Sequence, residues 1–323
     1  MNKLERRILA GMLFGVLIYA AIGFWTDAQR LAEDLTSFPI LVFLGALALT
    51  LINYGLRFIK WHYYLRLLGI VVPVGLSLNI FLAGLVMSIT PGKLGEVLKS
   101  VLLRQARGIP VAKTAPVVFA ERLTDLLGLF VIAGVGVITF GFGRVVFVIS
   151  LVVVIATIVF LQQPRLVNLF LDLLEKLPLA GKLRPKLDEA YGSVQHLLSL
   201  KALTWTTLLS VLAWSMEALA FYWILLALDA TDPTVYLAFF IYAMATILGA
   251  VSFLPGGLGV TEGSMIAVLL AMGLFATTST AAAATYLIRF STLWFGVVVG
   301  LVAWIVFRRR GTGEGHAPGG EAT

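Results

Sequence analysis

The sequence predicts an all-α polytopic membrane protein. It expects six spanning helices and two re-entrant, Pro-Gly-broken hairpins, eight helical units arranged as an inverted-topology repeat. Three observations carry this. Of 323 residues, 60% are hydrophobic and 13% charged, a balance foreign to soluble domains. The stretch Ile89-Thr90-Pro91-Gly92-Lys93-Leu94-Gly95-Glu96 recurs in form as Phe253-Leu254-Pro255-Gly256-Gly257-Leu258-Gly259-Val260-Thr261-Glu262, its proline 164 residues downstream. Lys and Arg also collect in alternate loops, as they do on the cytoplasmic side of membranes.

Apolar runs fall at roughly 8–25, 38–56, 74–90, 94–106, 114–140, 144–162, 202–226, 233–254, 258–274 and 280–307. A span needs about 20 residues, so the runs flanking each Pro-Gly pair are marginal and charge must arbitrate. The first run has a basic start and an apolar core, like a signal peptide, but no small-x-small cleavage site follows it. It is read as an uncleaved first helix.

If 74–106 dips in from the cytoplasm and 234–275 from outside, 20 of the 24 basic residues lie inside. These are the groups at Lys3–Arg7, Arg57–Arg66, Lys93–Lys113, Arg165–Lys201 and Arg308–Arg310. Arg30 and Arg144 stay outside, and Arg122 and Arg289 stay within helices. If the arms of each hairpin spanned fully, Lys93 would be stranded at the outer surface, so the hairpins fit better. Both termini are then cytoplasmic.

The organisation follows as a single integral membrane domain over 1–310. Repeat 1 covers about 8–140, repeat 2 about 144–307, and a cytoplasmic insertion over 163–201 interrupts the second. The Gly-rich polar tail, 311–323, is expected to be disordered.

Each Pro-Gly break matters for a physical reason. Proline lacks an amide proton and glycine relaxes the backbone, so each copy separates two half-helices. The second half-helix starts with free amides and the positive end of its dipole. Paired breaks in an apolar chain point to a transport site near the midplane, which singles out Gly92, Gly256 and Gly257.

Ionisable residues inside apolar runs are Glu96, Glu121, Arg122, Asp125, Glu217, Glu262 and Arg289. Each needs a partner or a wet cavity. Arg122 and Arg289 lie about 12–14 Å deep from opposite sides at helical rise and are candidates to hold an anionic headgroup. Glu121 and Asp125 neighbour Arg122 and could equally neutralise it for packing. Glu96 and Glu262 occupy first turns, where a carboxylate satisfies the dipole or handles substrate or protons. Glu217 is a candidate for proton coupling. Arg57, Lys60, Trp61 and Arg66 belong to an aromatic–basic stretch read as an interfacial lipid contact.

Several other chemistries are excluded. There is no cysteine, and His62, His196 and His316 lack ligand spacing. Neither a metal site nor a cofactor is expected. Walker A, HExxH and GxSxG patterns are missing, so no catalytic residue is assigned and the chain is not read as an enzyme. The net charge of +7 follows from topology rather than from a nucleic-acid partner.

The Arg57–Arg66 stretch, Thr90–Glu96, Glu121-Arg122-Leu123-Thr124-Asp125 and Leu254–Glu262 together resemble the membrane region of lysylphosphatidylglycerol synthases and flippases. The likeness extends to stand-alone flippase-like proteins of the UPF0104 type and covers nearly the whole chain. It implies translocation of a lipid or lipid-linked substrate. In the synthases this region is joined to a soluble aminoacyl transferase, and with the sequence ending at Thr323 that activity is not expected here.

The reading is therefore a flippase or scramblase of the cytoplasmic (inner) membrane that works without ATP hydrolysis. Its substrate would be an anionic phospholipid or a polyprenyl-phosphate-linked lipid. The alternative is a non-transporting membrane partner of a lipid-modifying or glycosyltransferase complex. Expected partners are membrane lipids, with a homo-oligomer or another membrane protein left open.

Overall fold

The computed structural model describes the backbone of residues 3–90, 95–176 and 184–313, and the side chains within those ranges from 9 to 309. Gly92 and Lys93, the middle of the insertion and the tail from 314 lie outside the described residues.

Among the described residues every regular element is helical. The chain runs through α1 (Lys3–Trp25), α2 (Ala28–Thr36), α3 (Ile40–Leu67), α4 (Val74–Gly84), a 3₁₀ turn (Leu85–Ile89), α5 (Leu98–Arg107), α6 (Val111–Phe140) and α7 (Arg144–Leu161). It continues with α8 (Pro164–Glu175), α9 (Arg184–Leu197), α10 (Leu200–Ala227), α11 (Val235–Val251), a short 3₁₀ turn (Pro255–Gly257) and α12 (Val260–Ala271). Last come α13 (Thr278–Arg289), a π turn (Phe290–Trp294) and α14 (Phe295–Gly313).

Prolines open several of these helices. Pro39, Pro73 and Pro110 directly precede α3, α4 and α6, and Pro164 is the first residue of α8. Proline suits these positions because it has no amide to leave unpaired and its φ is preset. Asp27 caps α2, accepting from the amides of Gln29 and Arg30.

The chain is an all-α polytopic membrane protein. Among the described residues, α3, α6, α7, α10 and the joined α13–α14 are long and apolar enough to cross a membrane. Helices α1 and α2, bent by 113° at their junction, would together make a sixth. The segments flanking the Pro-Gly breaks are shorter: Val74–Ile89, Val235–Val251 and Pro255–Ala271 each fall below spanning length.

Helices α3, α6 and α10 pack against one another, and α11 covers α6 and α10. Helix approach in a bilayer depends on small residues at the contact. Gly128 of α6 lies on Ser210 of α10, where an added Cβ would stand 2.9 Å from the serine Cβ. At Gly300 of α14 a Cβ would meet Val86 N at 2.2 Å, so only glycine admits the 3₁₀ turn at that distance. Apolar side chains on α7, among them Val145, Ile149, Val152 and Val153, are exposed. Such a surface suits contact with acyl chains rather than water.

Two expectations need correction. Helix α3 does not stop near residue 56. It runs on to Leu67 and carries the aromatic–basic stretch with it, burying Arg57, Lys60 and Trp61 while Arg66 is exposed. Within the 163–201 insertion, α9 packs against α6. The last apolar run is interrupted by the π turn just after Arg289.

Candidate functional site

Two ion-paired groups lie inside the helical bundle, one beside each Pro-Gly break. The first joins α3, α5, α6 and α10. On α3, Arg57, Lys60, Trp61 and Tyr64 follow helical spacing, so one face points inward. Lys60 Nζ lies 2.5 Å from Asp125 Oδ1 and donates to Ser210 Oγ at 2.7 Å. Lys99 Nζ lies 2.5 Å from Glu121 Oε2 and 3.8 Å from Glu96 Oε2. Arg122 Nη2 bridges Glu96 Oε2 at 3.1 Å and Asp125 Oδ2 at 3.2 Å. Aromatic faces line the cations: Lys99 sits over Trp61 at 4.5 Å, and Arg57 over Trp214 at 5.8 Å.

Paired charges of this kind hold several helices in one register. Each partner removed strands a buried opposite charge, which costs about 3–5 kcal/mol. Arg122 differs from the others in burial, with its side chain 20% exposed where its acids are nearly enclosed. It marks the open edge of the group.

The second group is built on the Pro255–Glu262 break. Gly256 adopts φ +61°, a left-handed backbone that glycine takes without strain. Glu262 Oε2 accepts from the Gly259 amide at 2.7 Å, closing the first turn of α12. Glu262 Oε1 accepts from Arg289 Nε at 2.6 Å and from Tyr19 Oη at 3.3 Å. Arg289 Nη2 donates to the Gly256 carbonyl at 2.8 Å. One arginine therefore ties the break to the long helix that follows it. Gly257 is buried against Gly249.

The second break touches the 3₁₀ turn that precedes the first. A Cβ on Gly256 would stand 3.6 Å from Ile89 Cα, and Val86, Met87, Ile89, Leu258, Leu293 and Val297 form one apolar cluster around the contact. Near this contact Tyr54 of α3 donates to the Thr292 carbonyl in the π turn at 2.8 Å. Glu217 of α10 accepts a short hydrogen bond from Tyr242 of α11.

The profile of the family described as the lysylphosphatidylglycerol synthase TM region matches residues 12–300, a range that encloses both groups. The chain belongs to that family. A UPF0104 membrane protein of Methanothermobacter thermautotrophicus is 30% identical over 126 residues, 39% of this chain. The aligned part spans 36% of the length of that curated relative.

In this family member the residues singled out from sequence divide between the two groups. Glu96, Glu121, Arg122 and Asp125 meet in the first, and Glu262, Arg289, Gly256 and Gly257 in the second. Arg57, Lys60 and Trp61, read as interfacial lipid contacts, instead belong to the first group. Their carbon stems and rings run along the inward face of α3, and burial follows from helical spacing rather than from composition. Lys99, counted in sequence as a cytoplasmic charge, is likewise buried.

Sequence reading missed the part played by Lys99, Ser210, Tyr19, Tyr242 and Trp214. Only Lys99 left a signal, standing three residues after Glu96 on a short helix. The others come from distant segments, and single-sequence periodicity carries no trace of their partners.

Proposed function

We propose that this protein is a membrane lipid translocase, a flippase or scramblase for an anionic phospholipid or a polyprenyl-phosphate-linked lipid. One observation carries the reading: the 3₁₀ turn ending at Ile89 meets Gly256, and the acid that follows each Pro-Gly step in sequence, Glu96 or Glu262, pairs with an arginine on a later helix. The Glu96–Arg122 pair at the first break has its counterpart in Glu262–Arg289 at the second. This correspondence supports an inverted repeat in which both Pro-Gly segments are re-entrant. Both termini are then cytoplasmic and the protein sits in the inner membrane.

Charges this deep are costly unless they serve a polar path. A headgroup would move along the ion-paired groups while its acyl chains stay in the bilayer. Transport then needs no ATP and no chemical step. It runs downhill or is coupled to protons, with Glu217 and its donor Tyr242 the candidate carrier.

A second reading, a non-transporting partner of a lipid-modifying or glycosyltransferase complex, draws on α8. Its Leu166, Leu169, Phe170 and Leu173 are exposed on a helix that also carries charge, a surface suited to a membrane face or another protein.

Liposomes containing purified protein and a fluorescent anionic phospholipid separate the two. Loss of the inner-leaflet fraction protected from an external quencher, faster than in empty liposomes, is the expected result. Protection equal to that of empty liposomes across phosphatidylglycerol and polyprenyl-phosphate probes would sink the translocase.

A further inference from the structure

Four cations and three carboxylates make up the first ion-paired group, and Arg57 is the one cation with no carboxylate within ion-pair distance among the described residues, feeling Asp125, Glu96, Glu121 and Glu217 only at longer range. Glu96 is held by Arg122 and Lys99, Glu121 by Lys99, and Asp125 by Lys60 and Arg122. Arg57 forms no hydrogen bond and no ion pair among the described residues, although it is only 6% exposed. Its Nε is enclosed and unpartnered. Its contact is the face of Trp214 at 5.8 Å. Glu121 Oε1 and Asp125 Oδ2 also lack hydrogen bonds, but each of those carboxylates has a cation within 3.2 Å.

A guanidinium N–H enclosed without an acceptor is unusual, because it loses water and gains nothing in exchange. Such a group is retained where an anion completes it. Arg122 lies at the open edge and also keeps an unpartnered Nε. The two guanidinium groups thus belong to one ion-paired group, Arg122 at its exposed edge and Arg57 more deeply buried.

We infer that Arg57 is the phosphate-holding residue of this membrane domain, with Arg122 at its mouth and the ligand a phosphate oxyanion. A planar fork binds two phosphate oxygens at once, and the Trp214 face behind it fixes the plane. The assignment deepens the translocase reading and rests on it only for the source of the phosphate. It moves the central role from Arg289, which is saturated by Glu262 and the Gly256 carbonyl.

The test uses the purified full chain in detergent, titrated calorimetrically with dihexanoyl phosphatidylglycerol, dihexanoyl phosphatidylcholine and glycerol phosphate. Wild type is expected to bind the first. Arg57→Gln is expected to weaken that binding at least ~10-fold, the loss of a charge-assisted pair. Its melting temperature should stay close to that of wild type, because no hydrogen bond or close ion pair is lost with the guanidinium. A merely structural arginine gives the opposite pattern, a lower melting temperature with affinity retained, and that result overturns the assignment.

If Arg57→Gln fails to fold, a structural role is indicated and Arg57→Lys decides the rest. The charge stays and the fork is lost, so undiminished affinity in that variant overturns the proposal. Glycerol phosphate binding as tightly as the lipid keeps the phosphate site and removes the lipid as its source. Wild type binding none of the three overturns it. A protein that binds through Arg57 but moves no lipid in liposomes keeps this assignment and loses the translocase reading alone.

Discussion

Arg122 Nη2 lies 3.1 Å from Glu96 Oε2, joining the middle of α6 to the turn that leads into α5. Asp125 is also within 3.2 Å of Arg122, but Lys60 holds Asp125 independently. With Arg122 removed, Asp125 keeps Lys60 at 2.5 Å, whereas Lys99 stands farther from Glu96, at 3.8 Å. Arg122→Ala should lower folded yield, and Glu96→Gln should restore more of it than Asp125→Asn does. Fluorescence-detected size exclusion of the three variants checks this. Equal rescue by Asp125→Asn would return Asp125 to the role of principal partner.

Lys60 gives a larger stability effect, because both members of its pair are nearly enclosed. Lys60→Met leaves Asp125 with the partly exposed Arg122 and the Ser210 hydroxyl, and should cost about 3–5 kcal/mol. The double variant Lys60→Met with Asp125→Leu should recover most of it, since an apolar pair of similar size tolerates burial. Melting curves in detergent read both. A single variant as stable as wild type would show that the pair is not buried in the bilayer.

Gly256 sits at φ +61° with Leu293 only 3.3 Å from the place of its missing Cβ. A left-handed backbone costs an L-residue about 1–2 kcal/mol. Gly256→Leu should impair lipid movement while leaving membrane insertion intact, and Gly256→Asn should be milder because asparagine tolerates this region. Equal transport by both variants would mean that the break only packs.

Glu262 caps α12 and neutralises Arg289 with different oxygens of one carboxylate. Glu262→Ala should lose the cap, worth about 0.5–2 kcal/mol, and also strand the arginine. Adding Arg289→Gln should recover only the second part. A double variant as stable as wild type would deny the cap any weight.

The absence of cysteine makes topology directly measurable. Single cysteines at 30 and 231 should react with an impermeant reagent from outside, and one at 316 only from inside. External labelling anywhere in 184–190 would invert or break the proposed orientation.

Fold class was legible because bilayer thickness sets helix length, and repeated apolar runs of span length have no place in a water-soluble chain. The two breaks were legible because Pro-Gly is local chemistry. Helix α3 shows the limit: Arg57 and Lys60 satisfy the same compositional rule whether they face lipid headgroups or acids. Only the positions of Asp125 and Ser210, 65 and 150 residues from Lys60, decide between them. The π turn after Arg289 was equally hidden, since Phe290-Ser291-Thr292-Leu293-Trp294 has no proline or glycine to announce it.

That turn makes the last long helix two cylinders with different phases. Each residue advances an α-helix by about 100°, so the extra residue of a π turn swings everything after it by roughly a quarter-turn. Before the turn, Arg289 is indexed to the second break. After it, Gly296 is indexed to Tyr54 and Gly300 to the 3₁₀ turn of the first break. One helix thus gauges the second break and the turn before the first, and the phase step lets a single continuous element read two surfaces that do not lie on one line. Moving the step by one residue along the helix would hand one side chain from the first cylinder to the second, a discrete change of contacts.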